Sequence, residues 1–165
     1  MFYTIFLQPN NVYGDVMARI LKPSGLRDPL ESVLDYQMRQ ASMATLSILV
    51  DSFATLGVRL IEGTVLRFVE ANPGCNQAEI GRALGVKRTN MVPIISGLVE
   101  ESLISRSAAD GRTHALHLTK KGAELDRKIS KKIMEHESRF FGDIDDTTKA
   151  ILLKTLQLIR AKAGD

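Results

Sequence analysis

The chain of 165 residues contains a single cysteine, Cys75. One thiol excludes an internal disulfide framework and fits a reducing compartment, so a cytoplasmic location is expected. Long apolar runs are lacking too. None approaches the roughly 18 residues that a membrane-spanning helix needs, and no membrane partner is expected. The opening MFYTIFL has no basic residue ahead of it, is short for a signal core and soon meets Gln8, Pro9, Asn10 and Asn11. It reads as an arm and not as a targeting peptide. Catalytic signatures are also missing: the chain has no phosphate-cradling glycine loop, no zinc-ligand spacing and no nucleophile elbow. Neither an enzyme nor a cofactor is expected. His114 and His117 stand three apart on a strand, so they face opposite sides and cannot hold one ion together.

What is present belongs to an ordinary globular domain. The apolar share of 44% and charged share of 25% are typical of soluble proteins, and the length allows one domain with extended arms. A net charge of +3 permits a polyanionic partner without requiring one, so the distribution of charge matters more than its total.

Turn signals divide the chain. Residues 1–27 carry Pro9, Gly14, Pro23 and Gly25 and form an N-terminal arm. Phe2, Tyr3 and Phe6 either bury against a neighbouring subunit or belong to a start-site artefact. Asp28 and Pro29 make an N-cap and first-turn pair for a long helix with Leu34, Met38, Ala41, Thr45 and Ile48 on one face, ending near Gly57. Val58, Ile61, Val65 and Phe68 mark a second helix, stopped by Asn72, Pro73 and Gly74. Asn76 and Glu79 have capping-box spacing and open a short helix through Leu84, after which Gly85 turns the chain. The next helix runs from about Arg88 to Ser102 with Met91, Ile95 and Leu98 on one face. A hairpin follows, with Leu116 and Leu118 sharing a side by the period of two. Thr119 caps a helix whose stripe is Leu125, Ile129, Ile133, His136 and Phe140; Gly142 and Asp143 break it. Asp145 or Asp146 begins the last helix, which carries Ile151, Leu152, Leu156 and Ile159.

Two short helices joined by a glycine turn, then a hairpin, form the plan of a winged helix-turn-helix. The fold expected is therefore mainly α with a small β-wing: a DNA-binding lobe over residues 57–118 between helical regions over 28–56 and 119–165, to which the resemblance given below assigns dimerisation. Lys87, Arg88, Thr89 and Asn90 occupy the first turn of the second helix, where side chains face base edges. Arg forks onto guanine, Asn pairs with adenine, and Thr offers a hydroxyl and a methyl. Arg112 at the hairpin tip suits a narrow minor groove, and Asp110 stands close enough to hold its guanidinium in place. Between Lys87 and Lys121 lie six basic residues (Lys87, Arg88, Arg106, Arg112, Lys120, Lys121) against three acidic ones (Glu100, Glu101, Asp110). Arg106, Lys120 and Lys121 are expected to touch phosphate or nothing, and so carry no sequence information. A solvated helix start and a solvated loop tip are the plain alternatives for Lys87 to Asn90 and for Arg112.

Residues 76–124, NQAEIGRALGVKRTNMVPIISGLVEESLISRSAADGRTHALHLTKKGAE, resemble the MarR family of bacterial transcription regulators. The matching features are the LGV turn, the helix that leads into Leu103 and Ile104, the wing Asp110-Gly111-Arg112, and the phrase from Leu118 and Thr119 to Gly122. The helix order fits from Asp28 to about Ala163; the first 27 residues lie outside. The resemblance implies a homodimer whose first helix and last two helices interlock, presenting two lobes about one DNA turn apart (roughly 34–36 Å) to a pseudo-palindromic operator on double-stranded DNA. It also implies repression relieved by a small aromatic or phenolic effector in a cleft, for which no residues are assigned. Lys87, Arg88, Thr89, Asn90, Asp110 and Arg112 stand at matching positions. Three positions depart from the family pattern. Lys87 and Arg59 replace Ser or Thr caps, and Pro93 falls inside the recognition helix, where it should bend the helix and offer its ring to a thymine methyl.

Other readings stay open. Cys75 precedes a helix N-terminus, a place that lowers thiol pKa, so a redox-responsive regulator is one alternative. A winged-helix module that binds protein and not DNA is another. His136 lies on an apolar stripe as a satisfied interface histidine, with an effector-binding or pH-sensing role as the alternative. Met38, Met43 and Tyr36 would line a pocket or simply pack.

Overall fold

Helix starts and stops follow local chemistry at most boundaries. The computed structural model describes residues 27–108 and 114–162. They fall into two compact units, 1–132 and 133–165. The first holds α1 (Leu34–Ala54), α2 (Leu60–Ala71), α3 (Gln77–Leu84), α4 (Arg88–Glu100), β1 (Ile104–Ala108), β2 (His114–Leu118) and the start of α5 (Lys120–Phe141). The second holds the end of α5 and α6 (Asp146–Lys162).

The helix expected from Asp28 begins later, at Leu34. The Asp28 carboxylate instead accepts the Leu30 N–H at 2.9 Å, and the Leu30 carbonyl accepts the Val33 N–H, so the side chain closes a local turn that competes with helix. Helix α2 starts at Leu60 despite Arg59 at its cap. Glu62 accepts both the Arg59 N–H (2.8 Å) and the Arg59 Nε–H (2.7 Å), which supplies half of a capping box. At the start of α5, Thr119 Oγ accepts the Gly122 N–H at 3.0 Å and donates to the Ser102 carbonyl at 2.6 Å. One hydroxyl thus caps a helix and pins it to the end of α4.

The core of the first unit lies where α1, α2 and α5 converge and beneath α4. Gly63 on α2 faces the Phe53 ring of α1 and Ile129 of α5, and a Cβ at position 63 would overlap that ring. Gly122 allows the same close approach of α5 to the Leu103 carbonyl. The two strands pair antiparallel, Ile104 opposite Leu118 and Arg106 opposite Leu116. On the far side of β2, Leu116 accepts the Gly74 N–H (2.9 Å) and donates to the Cys75 carbonyl (2.8 Å), so the loop before α3 extends the sheet.

In the second unit, Asp145 caps α6. Its carboxylate accepts the Thr148 N–H (3.0 Å) and hydroxyl (2.6 Å), bonds that hold Asp145 below the usual carboxylate range. His136 packs on Phe140 with ring centroids 4.8 Å apart. Among the described residues, no helix is long and apolar enough to cross a membrane.

Candidate nucleic-acid interface

Helix α3 is set by both of its ends. Asn76 Oδ1 accepts the N–H groups of Ala78 and Glu79 at 3.0 and 3.1 Å, and Glu79 returns the favour at the Asn76 N–H (2.8 Å). At the other end Gly85 adopts φ +66°, a left-handed conformation that side chains resist, and the Val86 N–H reaches the Gly81 carbonyl at 2.7 Å. This turn sends the chain directly into α4.

Helix α4 has two contrasting faces. Met91, Ile94, Ile95 and Leu98 are only 0–3% exposed and anchor it on the lobe. Lys87, Arg88 and Thr89 are exposed at its first turn, with Asn90 half-buried behind them. No side chain caps α4; the Lys87 carbonyl accepts from Asn90 (2.9 Å) and Met91 (3.1 Å), and the remaining first-turn donors are open to a ligand. The helix continues through Pro93, whose missing N–H leaves the Thr89 carbonyl without its usual partner, and the ring is exposed. Among the described residues no ion pair engages Lys87 or Arg88.

Two other cations turn toward α4. Arg106 Nη2 donates to Ser96 Oγ at 3.3 Å, and Lys121 Nζ donates to the Glu101 carbonyl at 2.8 Å, close to the helix C-terminus. The expectation that they touch phosphate or nothing missed these partners, because side-chain reach between elements has no signal in local spacing. Lys120 is exposed. Asp110 and Arg112 lie outside the described residues.

Sequence reading also missed Arg67. Its Nη1 donates to Asp126 Oδ2 at 2.7 Å, linking α2 to α5. Asp126 is 3% exposed and its Oδ1 has no partner among the described residues, while the Arg67 side chain is 37% exposed. The available signal was a carboxylate on the buried side of α5, one turn from Ile129. Cys75 departs from expectation in the other direction. Burial pushes its thiol up, and the nearby Glu79 carboxylate adds to the rise, outweighing the lowering by a backbone hydrogen bond. A raised thiol pKa lowers the thiolate fraction and so disfavours a redox role for Cys75.

A capped short helix, a left-handed glycine turn, a second helix with cations bared at its first turn, and a hairpin directly after it define a winged helix-turn-helix protein. Residues 56–113 match the MarR family. The chain is 29% identical to the transcriptional repressor CouR bound to a 23-mer DNA duplex, covering 82% of this chain and 98% of that one, with a TM-score of 0.74. It is 28% identical to CouR bound to p-coumaroyl-CoA, over 85% and 97% of the two chains, with a TM-score of 0.69. A protein of Thauera aromatica, named for transcriptional regulation of the hcr operon, is 28% identical over 95 residues; the match spans 56% of this chain and 57% of that relative. Over this region and in its fold the chain is similar to transcription regulators of the MarR family.

Proposed function

We propose that this chain is a cytoplasmic homodimeric repressor that binds a pseudo-palindromic operator in double-stranded DNA and releases it when a small aromatic effector binds. The observation that carries this reading is the bare cationic first turn of α4 mounted on a fully buried inner face. Such a turn places donors against base edges while the packed face holds the helix rigid. Lys87, Arg88, Thr89 and Asn90 read the major groove, with Pro93 beside them. Arg112, braced by Asp110, reads the minor groove, and Arg106 stands between helix and hairpin. In this reading residues 57–118 are the DNA-binding lobe, residues 28–56 and 119–165 form the dimer, and residues 1–27 are an arm.

The effector class follows from CouR, which has been seen with p-coumaroyl-CoA. Aromatic acids and their coenzyme A thioesters are therefore the first compounds to try. A gel shift on the DNA flanking the chain's own gene tests the core of the reading. Arg88→Ala should weaken binding by about 1–3 kcal/mol and relax base preference at one position per half-site. Binding that ignores salt, or that survives loss of both Arg88 and Arg112, would point to a protein-interaction module instead.

A further inference from the structure

Arg106 is the single Lys or Arg in the described strands, and it does not point away from the lobe. It shares a strand side with the buried Ile104 and lies opposite the buried Leu116, so its stem follows the side of the hairpin that packs toward the core. From there its guanidinium reaches Ser96, two turns along α4 from the residues that face bases. Lys121, in the first turn of α5, holds the same helix at the Glu101 carbonyl, and Thr119 holds it at the Ser102 carbonyl. The far half of α4 is thus tied to the hairpin and to α5 by side-chain donors, while its first turn carries none.

We propose that Arg106 is a positioning residue: through Ser96 it fixes the angle between the recognition helix and the wing, and so selects which base pairs flanking the central contacts are read. The proposal rests on the DNA-binding reading above. A brace and a phosphate contact differ in what salt does to them. Each phosphate contact releases condensed counterions and contributes about 0.9 to the slope of log affinity against log salt, whereas an internal brace contributes none. A brace instead governs geometry, which appears as preference among flanking bases.

The experiment compares the full-length wild type with Ser96→Ala, Arg106→Ala and the double variant. The probes are duplexes that the wild type selects from a randomised library, titrated over a range of salt. Both single variants should lose roughly five-fold or more of their discrimination at flanking positions, the lower end of one base contact, and keep the wild-type salt slope. The double variant should be no worse than either single, because each removes the same bond. The proposal is overturned if Arg106→Ala lowers the slope by about 0.9 per subunit with flank preference intact, or if Ser96→Ala selects the same flanks as wild type. A wild type that selects no duplex at all would overturn the DNA-binding reading, and the brace with it. Circular dichroism and melting of each variant separate these outcomes from simple misfolding.

Discussion

Helices α4 and α6 are built from the same kind of residues and end in different places. Both carry Ile and Leu at helical spacing. On α4 the four apolar anchors are 0–3% exposed, whereas on α6 Ile151, Leu152, Leu153, Leu156, Leu158 and Ile159 are 40–63% exposed and no residue is buried. An apolar stripe states that a face needs cover, not what covers it. For α4 the cover comes from its own lobe. For α6 the stripe stays exposed among the described residues, and an exposed apolar face of this extent marks an interaction surface. A second copy is the occupant proposed above.

The sharpest way to break this contrast is to damage both helices. Ile95→Ala should cost about 2–5 kcal/mol in chemical denaturation while sedimentation still finds a dimer. Leu156→Asp should do the reverse, shifting the protein toward monomer by placing a charge in the interface, with helical content kept. If Leu156→Asp sediments like wild type, α6 is not a dimer element. A smaller effect is expected within the first unit. Arg67→Met strands the buried Asp126 carboxylate and should destabilise by about 1–3 kcal/mol, below the usual range for a buried pair because Arg67 is partly solvated. Restoring much of that stability with Asp126→Asn in the same chain would identify the stranded charge as the cause.

The smallest expected effect concerns the second unit. Burial lowers the pKa of His136 from its ordinary 6.5, with Glu137 opposing the fall and Arg139 adding to it. The folded state therefore favours the neutral ring. Its contribution is complete above pH 6.5 and is lost as pH falls from there through the depressed value, since the unfolded chain takes up the proton first. Melting at pH 7.5 and pH 5.5 should show a modest drop that His136→Gln reduces. An equal drop in the variant would assign the pH response elsewhere.

Most of the local architecture was legible from residue order. The Asn76 and Glu79 box, the left-handed Gly85, the Thr119 cap and the Asp145 cap all act within one helical turn, so a few neighbouring residues suffice to specify them. Where two local options competed, spacing was less decisive: Asp28 offered a cap and closed a turn instead. The first turn of α4 was legible for the same reason as the caps, because Lys87 to Asn90 follow the glycine directly. Other parts of the site were not. Arg106 looked like any strand cation until Ser96 stood beside it, and the place of Cys75 before a helix allowed an activated thiol that burial and Glu79 disfavour.

By itself, the order of residues determined the elements, most of their ends, the faces that must be covered and the place of the cationic turn. Each of these is governed by dihedral preference, short-range hydrogen bonding and apolar periodicity, which reach only a few residues along the chain. Tertiary structure alone decided which faces found cover, that Arg67 on α2 meets Asp126 on α5, and that Arg106 leans on the recognition helix. Those outcomes depend on desolvation and reach between segments far apart in sequence, and both are set only when the helices pack.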